Sequence, residues 1–388
     1  MDGELSHFGN ADSLITIDVN AIAGNWTYLD SLSPTTTETA AVVKADAYGL
    51  GAARIAPALA TAGCRTFFVM SLAEASALRQ ALAEHGHTDA RIFALGGCHE
   101  GQEDCFIADG VIPVINSLAQ LERWRDRALA HAAKLPAALH IDTAMTRLGL
   151  DTVEMTSLQD LLQKDSTWLD GIELCCVMSH LSAGEDLADP TNDRQLAAFQ
   201  NIGAIFPSVP LSLSNSGGTL RGGGFHMALN RPGIALYGLH PAGHEAVEEQ
   251  IDQAERLRPA VSWQARILQR RSAQAGDRVG YNGTYRLERD SRIVTLGVGY
   301  ADGYPRSLGN VARVEIAGET APVVGRVSMD SITVDVTGIA ESRIAAVDHA
   351  TVLGSGYELA QMARDAGTIG YEILTQLGRR PERRYIGG

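Results

Sequence analysis

From about Ala40 to Gly238, short apolar runs alternate with segments whose apolar positions recur at helical spacing. The runs predict strands near residues 41–43, 67–70, 92–95, 112–115, 138–142, 172–178, 211–214 and 234–237. Amphipathic stretches between them, such as 72–85 and 118–133, predict helices. Strands that alternate with helices in this way form parallel sheets, because each return to a parallel neighbour needs a crossover. Eight such units within roughly 200 residues fit a closed (β/α)8 barrel of the TIM type better than an open doubly wound sheet. No GxGxxG follows the first strand, which argues against a dinucleotide-binding fold.

After Pro241 the texture changes. Residues 243–258 are charged and read as a connecting helix or linker. From Ala260 to Val336, short β-branched runs are broken by glycine, at 293–298, 311–316, 322–327 and 332–336. This predicts a mainly antiparallel β domain at the C-terminus. Helices near 359–366 and 371–377 close the chain. The expected division is a disordered tail over residues 1–12, an α/β barrel over 13–245 and the β domain over 246–388.

The length of 388 residues fits two domains, and 45% hydrophobic with 20% charged residues fits a globular protein. A net charge of -14 disfavours nucleic acid or an anionic membrane as partner. The five cysteines (Cys64, Cys98, Cys105, Cys175 and Cys176) show no CxxC spacing, so neither a disulfide framework nor a metal site is expected. No apolar stretch approaches the roughly 20 residues of a membrane span, and the polar start lacks a signal-peptide core. The cytoplasm is the expected location.

Candidate chemistry sits at the predicted strand ends, where a barrel builds its site. The run Ala41-Val42-Val43-Lys44-Ala45-Asp46-Ala47-Tyr48-Gly49 delivers one lysine to the end of the first strand. An amine there is placed to form an imine with a carbonyl cofactor, because desolvation favours the free amine. Taken alone, such a lysine is more often a solvated strand end. Arg147, on the loop after the fifth strand, suits a carboxylate, since a guanidinium donates two parallel hydrogen bonds; a surface ion pair is the plain alternative. His180 follows the sixth strand and could orient neighbours, but taken alone a satisfied core histidine is the better reading. Small residues at 214–218 and in Arg231-Pro232-Gly233-Ile234 allow the close backbone approach that a phosphate needs.

Together these segments resemble alanine racemase, a family of pyridoxal phosphate (PLP) enzymes, over about residues 15–384. The segments Asp-Thr-x-Met-x-Arg-Leu-Gly at 142–149, Arg-Pro-Gly-Ile-Ala-Leu-Tyr-Gly at 231–238, Gly-Tyr-Ala-Asp-Gly at 299–303 and Met-Asp at 329–330 stand in the family's order. The resemblance implies that Lys44 holds PLP and serves as one of two bases. It implies that Tyr281 is the second base, offered by the partner in a homodimer. Arg231 resembles the arginine at the pyridine nitrogen, and Tyr48, Ser216, Gly233, Ile234 and Tyr371 resemble the phosphate contacts. Arg147 and the backbone N–H of Met329 are similar to the substrate-carboxylate partners, and His180 to the histidine that bonds the catalytic tyrosine. Tyr300, Arg306, Arg326, Asp330 and Ile369 match the entrance, where two subunits meet. The activity implied is interconversion of L- and D-alanine, supplying D-alanine for peptidoglycan.

Two departures stand out. Family members often carry a lysine at the position of His140, carbamylated to hold the arginine; histidine forms no such carbamate, so Arg147 must be oriented otherwise. Ala144 stands where glycine is usual, and Gly217-Gly218 where small methyl-bearing residues are; these changes bear on the substrate pocket. Competing expectations are a racemase of broader or different specificity (serine, for example), a fold-related PLP lyase or decarboxylase, and a non-catalytic PLP-binding protein. The last is usually a barrel alone, and the roughly 140 residues after the barrel speak against it.

Overall fold

The structure is a computed structural model that describes residues 8–131, 133–245 and 247–388. The chain forms two compact units. One comprises Ile22–Ala242 and the segment ending at Leu257; the other comprises the described residues up to Ala21, Gly243–Glu245 and Arg258–Gly388.

The first unit is the barrel. Ala41–Val42, Thr66–Val69, Arg91–Ala94, Val111–Ile115, Leu135–His140, Ile172–Met178 and Leu211–Ser212 lie side by side in chain order, all parallel. Leu229–Asn230 closes the ring by pairing in parallel with Glu38–Thr39, which leads into the first strand. The Val42 N–H donates to the Pro232 carbonyl at 3.0 Å, and the Arg231 N–H to the Ser214 carbonyl at 2.9 Å. Strands covered on both faces read as unbroken apolar runs, and Val111–Ile115 is buried at every position. Inside, the Phe68 and Phe93 rings stack with centroids 4.8 Å apart.

The eighth strand therefore lies at Leu229–Asn230, and the expected strand at 234–237 is corrected. Ile234–Tyr237 is a short 3-10 helix, buried throughout. Burial on every side makes this run look like a central strand. Pro232, which has no N–H, and Gly233, at φ −124° and ψ −85°, end the extended backbone just before it.

Several barrel helices start where the sequence places a capping side chain. Ser71 accepts from the Glu74 N–H, Ser117 from Gln120, Asp151 from Glu154 and Asn215 from Gly218. The helices Leu72–Glu84 and Leu118–Leu129 match the amphipathic stretches, the second ending sooner than its apolar pattern.

The second unit is an eight-stranded sheet centred on the long strand Val261–Ala273. Along its length this strand pairs antiparallel with Ser13–Asp18, His349–Leu353 and Ser291–Leu296. Ser13–Asp18 also pairs in parallel with Glu382–Ile386; the other pairings in the sheet are antiparallel. The N-terminal strand thus belongs with the C-terminal β unit rather than with the barrel, which moves the expected boundary at residue 13. Its Ile15 stands opposite Trp263, and both are fully buried. Part of the expected disordered tail is ordered as well. Phe8 is fully buried, the Arg266 guanidinium lies 4.7 Å from its ring centre, and the Arg266 N–H donates to the Asp12 carbonyl at 2.8 Å. Residues 1–7 lie outside the described residues.

Among the described residues, no helix is long and apolar enough to cross a membrane, and no cluster of His, Cys, Asp or Glu is placed to hold a metal ion. Truncating Ile15 to Ala removes core volume from the β unit. The expected loss is about 2–5 kcal/mol of stability, read as a lower urea midpoint in circular dichroism.

Candidate active site

Lys44 leaves the first barrel strand and enters a turn of reversed hand. Ala45, Asp46, Ala47 and Tyr48 all have positive φ, from 52° to 58°, with ψ from 37° to 51°. A left-handed helical turn brings Cβ against the following carbonyl and costs roughly 1–2 kcal/mol per non-glycine residue. Polar contacts hold it. The Ala47 N–H donates to the Val43 carbonyl at 2.9 Å and the Gly51 N–H to the Asp46 carbonyl at 2.9 Å. The Asp46 carboxylate takes the Ala52 N–H at 2.7 Å, and the Glu74 carboxylate takes the Ala45 N–H at 2.9 Å. The turn half-buries Lys44 and buries Tyr48. Burial lowers the Lys44 amine pKa, the Arg147 charge lowers it further, and Glu74 partly opposes both.

Tyr48, Ser216, Gly233 and Ile234 converge beyond the turn. Ser216 Oγ accepts the Gly233 N–H at 2.8 Å and the Ala235 N–H at 3.3 Å. A Cβ on Gly233 would collide with the Tyr48 hydroxyl, so glycine is required there by space. Ile234 is fully buried behind them. The Tyr48 and Ser216 hydroxyls meet here where the backbone at Gly233 approaches closely, an arrangement of polar groups and space that fits a phosphate. Gly217 and Gly218 prove to be packing residues. A Cβ on Gly217 would stand 2.5 Å from the Gly184 carbonyl carbon, and one on Gly218 would stand 2.8 Å from Leu181 and from Ser214 Oγ. Their lack of methyl groups answers the loop after the sixth strand, not a substrate pocket.

Arg231 is buried and bonds Ser212 Oγ, the Ser179 carbonyl at 2.5 Å and the Leu213 carbonyl at 3.5 Å. Burial lowers its pKa to about 10, which leaves it charged near neutrality. Neutral oxygens hold this cation, and its charge bears on both nearby histidines. Burial pushes His180 well below its ordinary pKa of 6.5, with Arg231, Arg147, His140 and Lys44 adding to the effect. His180 is therefore neutral, so it supplies no positive charge to tune a tyrosine, as an exposed histidine in that place would. Its tautomer follows from Asn215. That amide oxygen is taken by the Gly218 N–H at 3.1 Å, so the Nδ2 faces His180 Nε2 at 3.4 Å as donor. The proton then sits on His180 Nδ1.

His140 is buried and neutral, its pKa lowered to about 4 by burial first, then by Arg231 and Arg147. Asn116 fixes its orientation. The Asn116 amide nitrogen donates to the Leu95 and Val114 carbonyls, both at 2.8 Å, so its oxygen accepts from His140 Nδ1 at 2.8 Å. His140 Nε2 thus presents a lone pair, a neutral acceptor in a position where the family often has an anion. Arg147 itself is exposed, on a loop organised by Asp142. The Asp142 carboxylate accepts the N–H groups of Ala144 at 3.0 Å, Met145 at 2.8 Å and Thr146 at 2.8 Å. Ala144 sits at φ 98° and Thr146 at φ 54°. The alanine in place of glycine is therefore strained.

The remaining expected residues lie in the β unit. Tyr281 opens the short 3-10 helix Tyr281–Gly283 and is 68% exposed; Met329 is 51% exposed and Ile369 61%. The loops of Tyr300 and Met329 are zipped together, with the Tyr300 N–H on the Ser328 carbonyl at 3.1 Å and the Ala301 N–H on the Met329 carbonyl at 3.0 Å. A Cβ on Gly280 would stand 3.3 Å from the Arg326 nitrogen, so the Tyr281 turn abuts Arg326. Arg380 bridges buried Asp302 and Asp330, at 2.5 Å to each. Tyr371 lies in the helix Gly370–Thr375 and Arg306 begins the 3-10 helix Arg306–Leu308. Sequence reasoning missed Glu74, Asn116, Asp142 and Asn215. Asn215 had a legible signal, the helix cap before Ser216, and Asp142 bonds N–H groups two to four residues further along its own loop; Glu74 and Asn116 act across elements.

Comparison with known proteins gives one consistent result. Residues 17–241 match the family description "Alanine racemase, N-terminal domain" and residues 260–385 match "Alanine racemase, C-terminal domain". The chain is 47% identical over 369 residues to an alanine racemase of Acidiphilium cryptum, covering 95% of this chain and 97% of that one. It is 41% identical over 382 residues to an alanine racemase of Brucella canis, covering 97% and 94%. Among solved structures it superposes at a TM-score of 0.88 on an alanine racemase of Bartonella henselae with covalently bound pyridoxal phosphate, 40% identical, covering 97% and 100%.

Two outcomes follow from the geometry. Ala144→Gly is expected to raise stability by about 1 kcal/mol by relieving the positive φ, seen as a higher thermal midpoint. The proton of His140 binds the unfolded chain better than the folded one, because its folded pKa is depressed. Its contribution is present above the ordinary pKa of 6.5 and is lost as pH falls through about 4. His140→Gln should reduce the loss of unfolding free energy between neutral and acid pH, by up to ~3 kcal/mol, as read from urea titrations at each pH.

Proposed function

The chain belongs to the alanine racemase family, and we propose that it interconverts L- and D-alanine with PLP held on Lys44. The reversed turn carries this reading: it presents a half-buried amine of lowered pKa, with Tyr48, Ser216 and Gly233 converging behind it. Tyr48, Ser216 and the N–H groups at Gly233 and Ile234, with Tyr371, would bind the phosphate, the Gly233 N–H turning to it from Ser216 Oγ. Arg231 would face the pyridine nitrogen. A guanidinium has no lone pair to accept a proton bond, so it leaves that nitrogen unprotonated. When bound, the cofactor supplies an electron sink for the α-carbon, which acidifies its proton.

The protein's own part is to move that proton on two opposite sides. Lys44 takes or returns it on one side as a free amine, which its desolvation favours. Tyr281, offered by a second copy of the chain, does so on the other. Each group is base for one enantiomer and acid for the other. His180, neutral with its proton on Nδ1, would donate to the Tyr281 oxygen and orient it. Arg147 and the Met329 N–H would bind the substrate carboxylate and hold the α-carbon between the bases. His140 Nε2 offers the guanidinium of Arg147 a neutral acceptor in place of an anion. The product fits D-alanine supply for peptidoglycan. A relative from Agrobacterium fabrum, 41% identical over 378 residues, is described as a catabolic alanine racemase, and so marks the opposite direction of use.

Lys44→Ala should abolish the visible absorption of lysine-bound cofactor and racemisation together. Tyr281→Phe should keep that absorption but lower racemisation about 10²–10⁴-fold, with deuterium exchange at the α-carbon lost unequally from the two enantiomers. Unchanged exchange from both enantiomers in Tyr281→Phe would remove Tyr281 from the mechanism.

A further inference from the structure

Glu74 is the third residue of the helix Leu72–Glu84, which Ser71 caps. At that position a glutamate ordinarily folds back onto the cap residue's own N–H. Here Oε2 reaches one residue further, to the Met70 N–H at 2.7 Å, and Oε1 takes the Ala45 N–H at 2.9 Å. Met70 follows the second barrel strand, Thr66–Val69, and Ala45 is the first left-handed residue after Lys44. One carboxylate, anchored on a helix, therefore ties together two neighbouring strand ends directly behind the amine. Four consecutive non-glycine residues of reversed hand need such a restraint at the point where the backbone leaves the strand.

We propose that Glu74 is a positioning residue for Lys44, whose two carboxylate oxygens clamp the Met70 and Ala45 N–H groups and so fix the left-handed turn that aims the amine. The inference rests on Lys44 being the cofactor lysine. A plain helix-capping role would need only the Met70 contact. The clamp uses two separate acceptor oxygens at once, which a carboxylate has and a carboxamide lacks. In Glu74→Gln one of the two N–H groups must face an NH₂. Glu74→Asp keeps two acceptors but is one methylene shorter, so it retains the Met70 contact and loses its reach to Ala45.

The test compares full-length wild type, Glu74→Gln and Glu74→Asp, each loaded with PLP. It reads amide hydrogen exchange at Ala45 and steady-state racemisation. In Glu74→Gln, exchange at Ala45 is expected to rise about tenfold or more, the equivalent of losing one hydrogen bond to a charged group. kcat should fall by a similar factor while KM moves little, since the carboxylate partners of the substrate are untouched. Glu74→Asp should show the same rise at Ala45. Wild-type protection at Ala45 in Glu74→Gln, or wild-type kcat despite lost protection, overturns the proposal. If Glu74→Gln does not fold, Glu74→Asp decides on the same two readouts. Lys44→Ala separates the two claims: loss of cofactor absorption there, with Ala45 still protected in Glu74→Gln, defeats the clamp and leaves the role of Lys44 standing.

Discussion

The reversed turn after Lys44 is the constraint on which the placement of Lys44, Tyr48 and Gly233 depends. A right-handed continuation would carry Tyr48 away from Gly233 and leave the lysine on an ordinary strand-to-helix loop. Reversal of hand over four residues instead folds Tyr48 inward, against Tyr237 at 4.8 Å between ring centres. The strain of those four residues is offset locally, by the Glu74 and Asp46 carboxylates and by the space left at Gly233. A stretch that costs this much in isolation exists because the rest of the barrel over-determines it.

The second theme is the handling of buried positive charge. Arg231 is held by a hydroxyl and carbonyl oxygens, so its field is not cancelled locally. His140 and His180 respond by staying neutral, and Asn116 and Asn215 decide which ring nitrogen bears the proton. The site thus contains a buried cation at Arg231, an exposed one at Arg147, a desolvated amine and two histidines that serve as oriented hydrogen-bonding groups.

Much of this was legible in the sequence. Seven of the eight predicted barrel strands coincide with observed ones, because strands buried on both faces are written as apolar runs. The eighth failed for the same reason: the 3-10 helix at Ile234–Tyr237 is as buried as any strand. The strand Val261–Ala273 was hidden by its composition. Trp263 and Ala265 point into the core while Arg270 and Arg271 are exposed, so no continuous apolar run marks it. The candidate site was read from local motifs, at Lys44, Arg147 and Arg231. Glu74 and Asn116 were not, since each acts on a partner from another strand end, and nothing in the spacing of a sequence records that meeting. Left-handed backbone at Ala45 and Ala47 was equally invisible, because alanine there contradicts every local preference.

The β unit takes its inner strand from the beginning of the chain, Ser13–Asp18, and seats it between Val261–Ala273 and Glu382–Ile386. On a ribosome, that strand emerges before the whole barrel and must wait for Glu382–Ile386 before its last neighbour exists. The barrel between can condense during synthesis, but the sheet cannot be finished until Glu382–Ile386 has been made. Through all that time an apolar ribbon containing Leu14, Ile15 and Ile17 stands without its partners, and the nascent polypeptide has to be kept from pairing it with a stranger.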